Sequence, residues 1–340
     1  MASIKDVAKA AGVSVSTVSR TINDNPFISS ATREKVLKAI KELNYSPNRM
    51  AQSLSNNNSY TITLIVDIEN EKSFYNSFFY EVMHGIEKVV YQKEYCLIVS
   101  NLNTVLKNEN VLDWLIKGRR TEGVILPSSI IDSKTIKKLK ENNIPFVSIG
   151  EPENLRETIN WVDINNRKAG EQAANYFIDN HRRKIAFIGY DDSKVFNRRR
   201  FEGYKLALEN NELNYETNLV IKGGNSKNDG FRMMKDLLNE KDLPDSVICA
   251  DNLMSIGAIR AIQESGLSIP EDISLISFDN SQIAEIMYPT ISTINVDVYE
   301  LGLQSAKLLF ELIENPGKRE QELLISTNIE ERETTEQEHQ

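Results

Sequence analysis

The chain has 340 residues, 40% of them hydrophobic and 26% charged, with a formal net charge of −9. That leaves room for a small head and a large core of one or two lobes, while no apolar run approaches membrane-spanning length. Cys96 and Cys249 are far apart, each in an apolar run, and read as buried free thiols, not a disulfide or metal site. The opening residues lack a charged-then-apolar leader, so a cytoplasmic protein is expected, with no membrane contact. The charge is uneven. Residues 1–60 hold eight Lys or Arg against four Asp or Glu, a net +4, and the remainder stands at −13. A basic head on an acidic body fits phosphate binding by the head alone.

Ile4 to Ala11 reads as a short helix with Ile4, Val7, Ala8 and Ala11 on one face. Gly12 ends it, and Ser14 stands at the N-cap of a second helix. Two helices joined by a Gly-containing turn form a helix-turn-helix. On the second helix Val18 and Ile22 are spaced for packing, while Val15, Ser16, Thr17 and Arg20 share the outer side. Small hydroxyls and Val suit base edges or a thymine methyl, and Arg forks onto guanine. A third helix is expected from Ser30 to about Leu43, stopping before Pro47. Asn48 to Leu54 makes one or two turns of helix, too short to be stable alone. Ser55 to Ser59 has loop composition, and the domain boundary is placed there.

From Thr61 strands and helices alternate. Strands are expected at 61–66, 95–100, 123–126 and 146–149, with helices at 78–94, 108–117 and 133–142 between them. A second series has helices at 166–180, 196–210, 226–239 and 255–265, with strands at 184–189, 219–222, 246–250 and 273–278. Repeated βα units imply a parallel sheet covered on both faces, and two series imply two doubly wound lobes. A ligand then binds beyond the carboxyl ends of the strands, between the lobes.

Five blocks of the head (Ile4–Ala8, Ala11–Ser14, Thr17–Arg20, Thr32–Val36 and Leu43–Asn48) closely resemble the DNA-binding head of the lactose-repressor (LacI/GalR) family. Blocks of the body are similar to it too: Arg200–Tyr204, Ala250–Gly257, Ser277–Asn280 and Pro289–Ile294. The resemblance implies a sequence-specific transcriptional regulator, most simply a homodimeric repressor of sugar-utilisation genes. Its double-stranded operator would be pseudo-palindromic and its effector a small sugar, with no cofactor, metal or enzymatic activity. The implied fold is an all-α helix-turn-helix head (1–47), a hinge helix and linker (48–60) and an α/β core like a periplasmic binding protein (61–329). The chain would cross between lobes three times, with 61–160 and 292–320 in lobe one and 161–291 and 321–329 in lobe two. Glu330 to Gln340, acidic and without apolar periodicity, is expected to be a frayed tail.

The DNA-contacting residues implied are Ser14, Val15, Ser16, Thr17, Ser19, Arg20 and Asn23, with Asn48, Arg49, Ala51 and Leu54 in the hinge, where Leu54 matches the family's minor-groove wedge. For the effector, Arg200 stands three residues before Gly203, where the family's effector-binding Arg falls, and Asp279 stands at the family's sugar-binding Asp. Asp251 closes the strand before it, although the family often has Asn-Asp where this chain has Asp251-Asn252. Arg198 and Arg199 read as a solvated basic run. Four aromatics in Ser73–Phe79 suggest a stacking wall, with Phe74 and Phe78 against the ring, Asn76 as polar partner, and one of Phe78 and Phe79 in the core. A similar run occurs in maltose-type regulators of the family, which points to a maltose or α-glucoside effector. Asp163 is added as a neighbour of the lobe crossing.

Two other readings stay open. One is a carbon-catabolite regulator gated by a phosphorylated carrier protein docking on lobe one. The other is a sugar-binding transport protein. An enzyme fits least: no Gly-Xaa-Gly-Xaa-Xaa-Gly follows the first core strand, and Gly223–Lys227 lacks a P-loop ending.

Overall fold

The computed structural model describes residues 2–22, 24–45, 58–66, 77–102, 105–106, 109–153, 155 and 157–336. It divides into two compact units at Tyr60/Thr61.

The first unit holds α1 (Ile4–Ala11), α2 (Val15–Ile22) and α3 (Ser30–Glu42). Ser3 and Asp6 start α1 as a reciprocal capping box, and Gly12 ends it with φ of 67°. The Ser14 Oγ accepts the Thr17 N–H at 3.1 Å and so caps α2. Val7, Ala8, Val18, Val36 and Ala39 form the buried centre, with Ile22 and Tyr45 packed around it.

The second unit contains two six-stranded sheets. Lobe one is built on β1 (Thr61–Val66), β2 (Cys96–Asn101), β5 (Gly123–Pro127), β6 (Phe146–Ile149) and β7 (Trp161–Ile164). Between them lie α4 (Ser77–Gln92), a hairpin of β3 (Val105–Leu106) and β4 (Glu109–Asn110), α5 (Val111–Lys117) and α6 (Ser133–Glu141). Lobe two runs α7 (Asn166–Asp179), β8 (Ile185–Tyr190), α8 (Val195–Asn210), β9 (Val220–Lys222), α9 (Lys227–Leu238), β10 (Ser246–Cys249), α10 (Asn252–Glu264), β11 (Ser274–Phe278), α11 (Gln282–Ile286) and β12 (Ser292–Val296). The chain then returns to lobe one for α12 (Val298–Glu314) and β13 (Glu322–Ile325), and ends in lobe two with β14 (Thr327–Glu330). Sheet one has the order β13-β7-β6-β5-β1-β2, all parallel; sheet two has the order β14-β12-β11-β10-β8-β9, antiparallel only at β12–β14. The nearly continuous apolar runs of β1, β8, β10 and β11 follow from burial on both faces.

The chain crosses three times, but not where the sequence reading put the crossings. Trp161–Ile164 pairs with β6 and β13 in lobe one, Ser292–Val296 with β11 in lobe two, and Glu322–Ile325 with β7 in lobe one. Each crossing therefore follows a strand that the expected boundaries placed beyond it. Sheet membership is decided by which strand a segment pairs with, Ser148 with Trp161, Ile276 with Ser292 and Trp161 with Glu322, and the segment's own apolar pattern does not record that choice.

The expected frayed tail is also corrected through Glu336. The Thr334 backbone N–H donates to Thr290 and its carbonyl accepts from Leu275, while its hydroxyl donates to the Leu275 carbonyl at 2.8 Å. Arg332 donates to the Ile291 carbonyl at 2.9 Å and the Asn280 Oδ1 at 2.7 Å. A polar segment without apolar periodicity is thus ordered by hydrogen bonds to β11 and to the residues that flank β11 and β12, both interior strands of sheet two. Of the two cysteines, Cys249 is buried but Cys96 is exposed, because β2 is the edge strand of sheet one.

Three helix pairs meet through reciprocal glycines. A Cβ on Gly170 of α7 would lie 1.8 Å from the Arg200 carbonyl oxygen of α8, and one on Gly203 would lie 1.9 Å from that of Arg167. Gly230 with Gly257 joins α9 to α10 in the same way, and Gly85 with Gly302 joins α4 to α12. The contact of α7 with α8 sets the backbone that carries the central arginine of the cleft.

Candidate functional site

On the head, Ser14, Val15, Ser16 and Arg20 are exposed, and Thr17 and Ser19 are half-buried. Val18 is fully buried, so packing of its side chain orients the opposite face of α2 outward. The Ser14 hydroxyl lies 2.7 Å from Ser16 Oγ and 2.9 Å from Thr17 Oγ1, a hydroxyl cluster at the helix start. Such a face, with Val15 and Arg20 beside it, offers donors, acceptors and a methyl surface to base edges. Asn23, Asn48, Arg49, Ala51 and Leu54 lie outside the described residues, as does the expected hinge helix.

In the core, Arg200 is the centre of the site. It lies on α8, and its side chain is only 6% exposed. Its Nε donates to Asn166 Oδ1 at 3.0 Å and its Nη1 to the Ala250 carbonyl at 3.3 Å, while Nη2 stands 3.5 Å from Asp279 Oδ1. The guanidinium is 4.1 Å from the centroid of Phe278 and 5.3 Å from that of Phe196. Burial pulls its pKa down, and Asp279, Asp163 and Asp251 oppose that pull.

The three carboxylates arrive from three strand ends. Asp279 follows β11 with φ of 70°, a left-handed conformation that Asp tolerates better than most residues. Asp251 follows β10 and caps α10, its Oδ1 accepting the Leu253 N–H at 2.7 Å; burial raises its pKa. Asp163 lies in β7, and its Oδ2 accepts the Glu151 N–H at 3.0 Å while its Oδ1 accepts the Ile164 N–H at 2.7 Å. Burial pushes its pKa up to about 6 against those hydrogen bonds. Arg200, Asp163, Asp251 and Asp279 are therefore brought together. Phe74 and Asn76 lie outside the described residues. Phe78 is 39% exposed at the start of α4, while Phe79 packs on the core of lobe one.

Sequence reasoning missed several members of this site. Asn166 ties Arg200 to Asp163, its Nδ2 donating to Asp163 Oδ1 at 3.3 Å. Asn252 donates to the Asp279 carbonyl and to Ser281 Oγ, holding the loop after β11. Glu81, on α4 of lobe one, has its pKa raised by burial and then by Asp279 and Asp297. Phe196 stands one helical turn before Arg200, and that i, i+4 spacing is the signal that could have found it. A buried guanidinium facing several carboxylates suits a polyhydroxylated ligand, since charged groups make the stronger hydrogen bonds to hydroxyls. Among the described residues no group of three His, Cys, Asp or Glu could hold a metal ion, and no helix is long and apolar enough to cross a membrane.

Residues 3–48 match the family model of bacterial regulatory proteins, lacI family, and residues 174–335 match a periplasmic binding protein-like domain. The HTH-type transcriptional repressor PurR of Histophilus somni is 34% identical over 320 residues, 94% of each chain. A solved complex of the transcriptional regulator CelR with cellobiose is 31% identical with a TM-score of 0.73, covering 98% of this chain and all of the other. A lac repressor dimer bound to operator and the anti-inducer ONPF is 26% identical with a TM-score of 0.77, covering 98% and 99%. With the head matched by its family model and nearly the whole chain aligned to a relative above 30% identity, the chain belongs to the lacI family of bacterial regulatory proteins, DNA-binding regulators of transcription.

Proposed function

We propose that the protein is a homodimeric repressor of sugar-utilisation genes, whose operator affinity is set by a small sugar bound between the lobes. The observation that carries the sugar reading is Arg200, buried among Asp163, Asp251 and Asp279, a set of donors and acceptors suited to vicinal hydroxyls. Two independent leads favour a glucosyl disaccharide. The aromatic run Phe74–Phe79 resembles that of maltose-type regulators, and the CelR relative is solved with cellobiose. The α-linked maltose type is the specific form of the reading.

Calorimetry with maltose, cellobiose, ribose and a flat base such as adenine tests it. Binding of maltose that is lost in Asp279→Ala is the expected result. Cellobiose binding alone would replace the linkage and keep the class, whereas binding of adenine and no sugar would remove the class. For DNA, the exposed face of α2 reads a pseudo-palindrome, one half-site per subunit, with Asn48, Arg49, Ala51 and Leu54 following in the minor groove. Arg20→Ala should cost about 1–3 kcal/mol and relax choice at one base pair per half-site. A footprint on a single unrepeated site would contradict the dimer.

A further inference from the structure

The lobes are joined by more than their three crossings. Arg198 and Arg199 lie on α8 of lobe two, next to Arg200. Arg199 forks onto Glu151, with Nε to Oε2 at 2.9 Å and Nη2 to Oε1 at 2.5 Å, and its Nη1 donates to Glu202 at 2.9 Å. Arg198 Nη2 donates to Glu153 Oε1 at 2.6 Å, and its Nη1 to the Asp192 carbonyl at 2.6 Å. Glu151 and Glu153 follow β6 and precede β7, both strands of lobe one. Two consecutive arginines of one lobe thus hold two carboxylates of the other.

The contacts also close a ring. Glu151 N–H donates to Asp163, Asp163 accepts from Asn166, Asn166 accepts from Arg200, and Arg200 is bonded in sequence to Arg199, which returns to Glu151. The ring contains the central arginine of the cleft. We propose that Glu151–Arg199 and Glu153–Arg198 form an electrostatic latch that sets the angle between the lobes, and that the ring couples this latch to occupancy of Arg200.

An isolated exposed ion pair adds little to folding stability. Here the difference between two lobe angles matters more. A rotation of one lobe pulls both acceptors from both donors together, so the latch biases an equilibrium between conformations. The Arg199 fork is planar and pre-oriented by Glu202, which makes it selective for one geometry. The latch itself needs no ligand. Only its consequence, that an effector on Arg200 loosens or tightens it, rests on the effector reading above.

The test is the distance between the lobes in the full-length protein. Spin labels on Lys134→Cys in α6 and Asn228→Cys in α9 report it by electron–electron resonance, in a Cys96→Ser background. Labelled chains are diluted into unlabelled ones, so that only distances within a chain count. Cys249 is buried, with its thiol pushed up by that burial, and stays unlabelled. The parent protein should give one narrow distance. Arg199→Gln and Arg198→Glu should each broaden or shift it, and adding Glu153→Arg to Arg198→Glu should restore it. Glu202→Gln, confined to lobe two, should move it less than Arg199→Gln does. Unchanged distances in both arginine variants would overturn the latch, as would a reversed pair no narrower than Arg198→Glu alone. A sugar screen without a hit would withdraw the effector reading and leave this distance test standing.

Discussion

Asp163 is the residue whose surroundings most alter its chemistry. Burial holds its pKa at about 6, above the roughly 3.9 of an unfolded Asp. The folded chain therefore keeps this proton where the unfolded chain has lost it. Stability contributed by the neutral carboxyl is present at low pH and is lost as pH rises between about 4 and 6. Asp163→Asn, which cannot ionise, should gain on the parent protein by about 3 kcal/mol over that window. Denaturant unfolding of both proteins at pH 4 and pH 7 measures the gain; a constant difference would remove the shifted carboxyl. Arg332 makes a second case. It touches Asn280, Ile291 and Thr293 and faces Glu285 at 3.7 Å, so it anchors the residue after Asp279. Arg332→Ala leaves acceptors unpaired and should cost about 1–3 kcal/mol, read from the midpoint of denaturant unfolding. A midpoint equal to that of the parent would return the segment to a tail.

Among the elements, the pairing of α7 with α8 decides where the site is. Without a Cβ at Gly170 or Gly203, each helix backbone reaches the other's carbonyl, and Asn166 meets Arg200 at hydrogen-bond distance. Gly203→Ala would put a methyl into the Arg167 carbonyl, and backbone cannot yield as a flexible side-chain tip does. The expected cost is about 1–3 kcal/mol or more, with a loss of effector affinity as Asn166 and Arg200 separate. Unfolding curves with sugar titrations check both effects; full affinity in the variant would show that the close approach does not serve the site. The head obeys a simpler logic. Buried Val18 turns Ser16 and Arg20 outward, so α2 is oriented by its own core.

For the whole molecule, the proposed control of operator affinity by a bound sugar requires that cleft and operator exchange free energy. Any ligand that favours one lobe angle must shift operator affinity by the coupling that the operator exerts on it. Leu54, outside the described residues, is expected to wedge into the central base step, at an unstacking cost of a few kcal/mol, recovered through contacts that the bent duplex allows. Leu54→Ala should then weaken operator binding far more than binding to random DNA, and leave sugar affinity of the free protein intact. Titrations of both DNAs at one salt concentration compare the two losses, since salt alone moves both affinities. Equal losses would make the segment a plain linker.

Local signals sufficed for the head and for the rhythm of the core. Gly12, Ser14 and the spacing of Val18 and Ile22 act within a few residues of themselves, and a strand buried on both faces shows as an apolar run. Arg200, Asp251 and Asp279 were singled out because each stands in a block that resembles the family, the two aspartates just after a strand and Arg200 within α8, three residues before Gly203. The sheet to which Trp161–Ile164, Ser292–Val296 and Glu322–Ile325 belong was not, because pairing partners lie up to 161 residues away, as between Trp161 and Glu322. Arg198 and Arg199 read as solvated charges for the same reason, since their carboxylates come from the other lobe. The order of Arg332–Thr335 was equally hidden, because hydrogen bonds to strands about forty to sixty residues earlier, such as that of Thr334 to Leu275, leave no periodicity in the segment that makes them. What the chain encodes locally is its helices, strands and their ends; which of those ends meet is decided by packing between lobes and across sheets, where sequence distance carries no information.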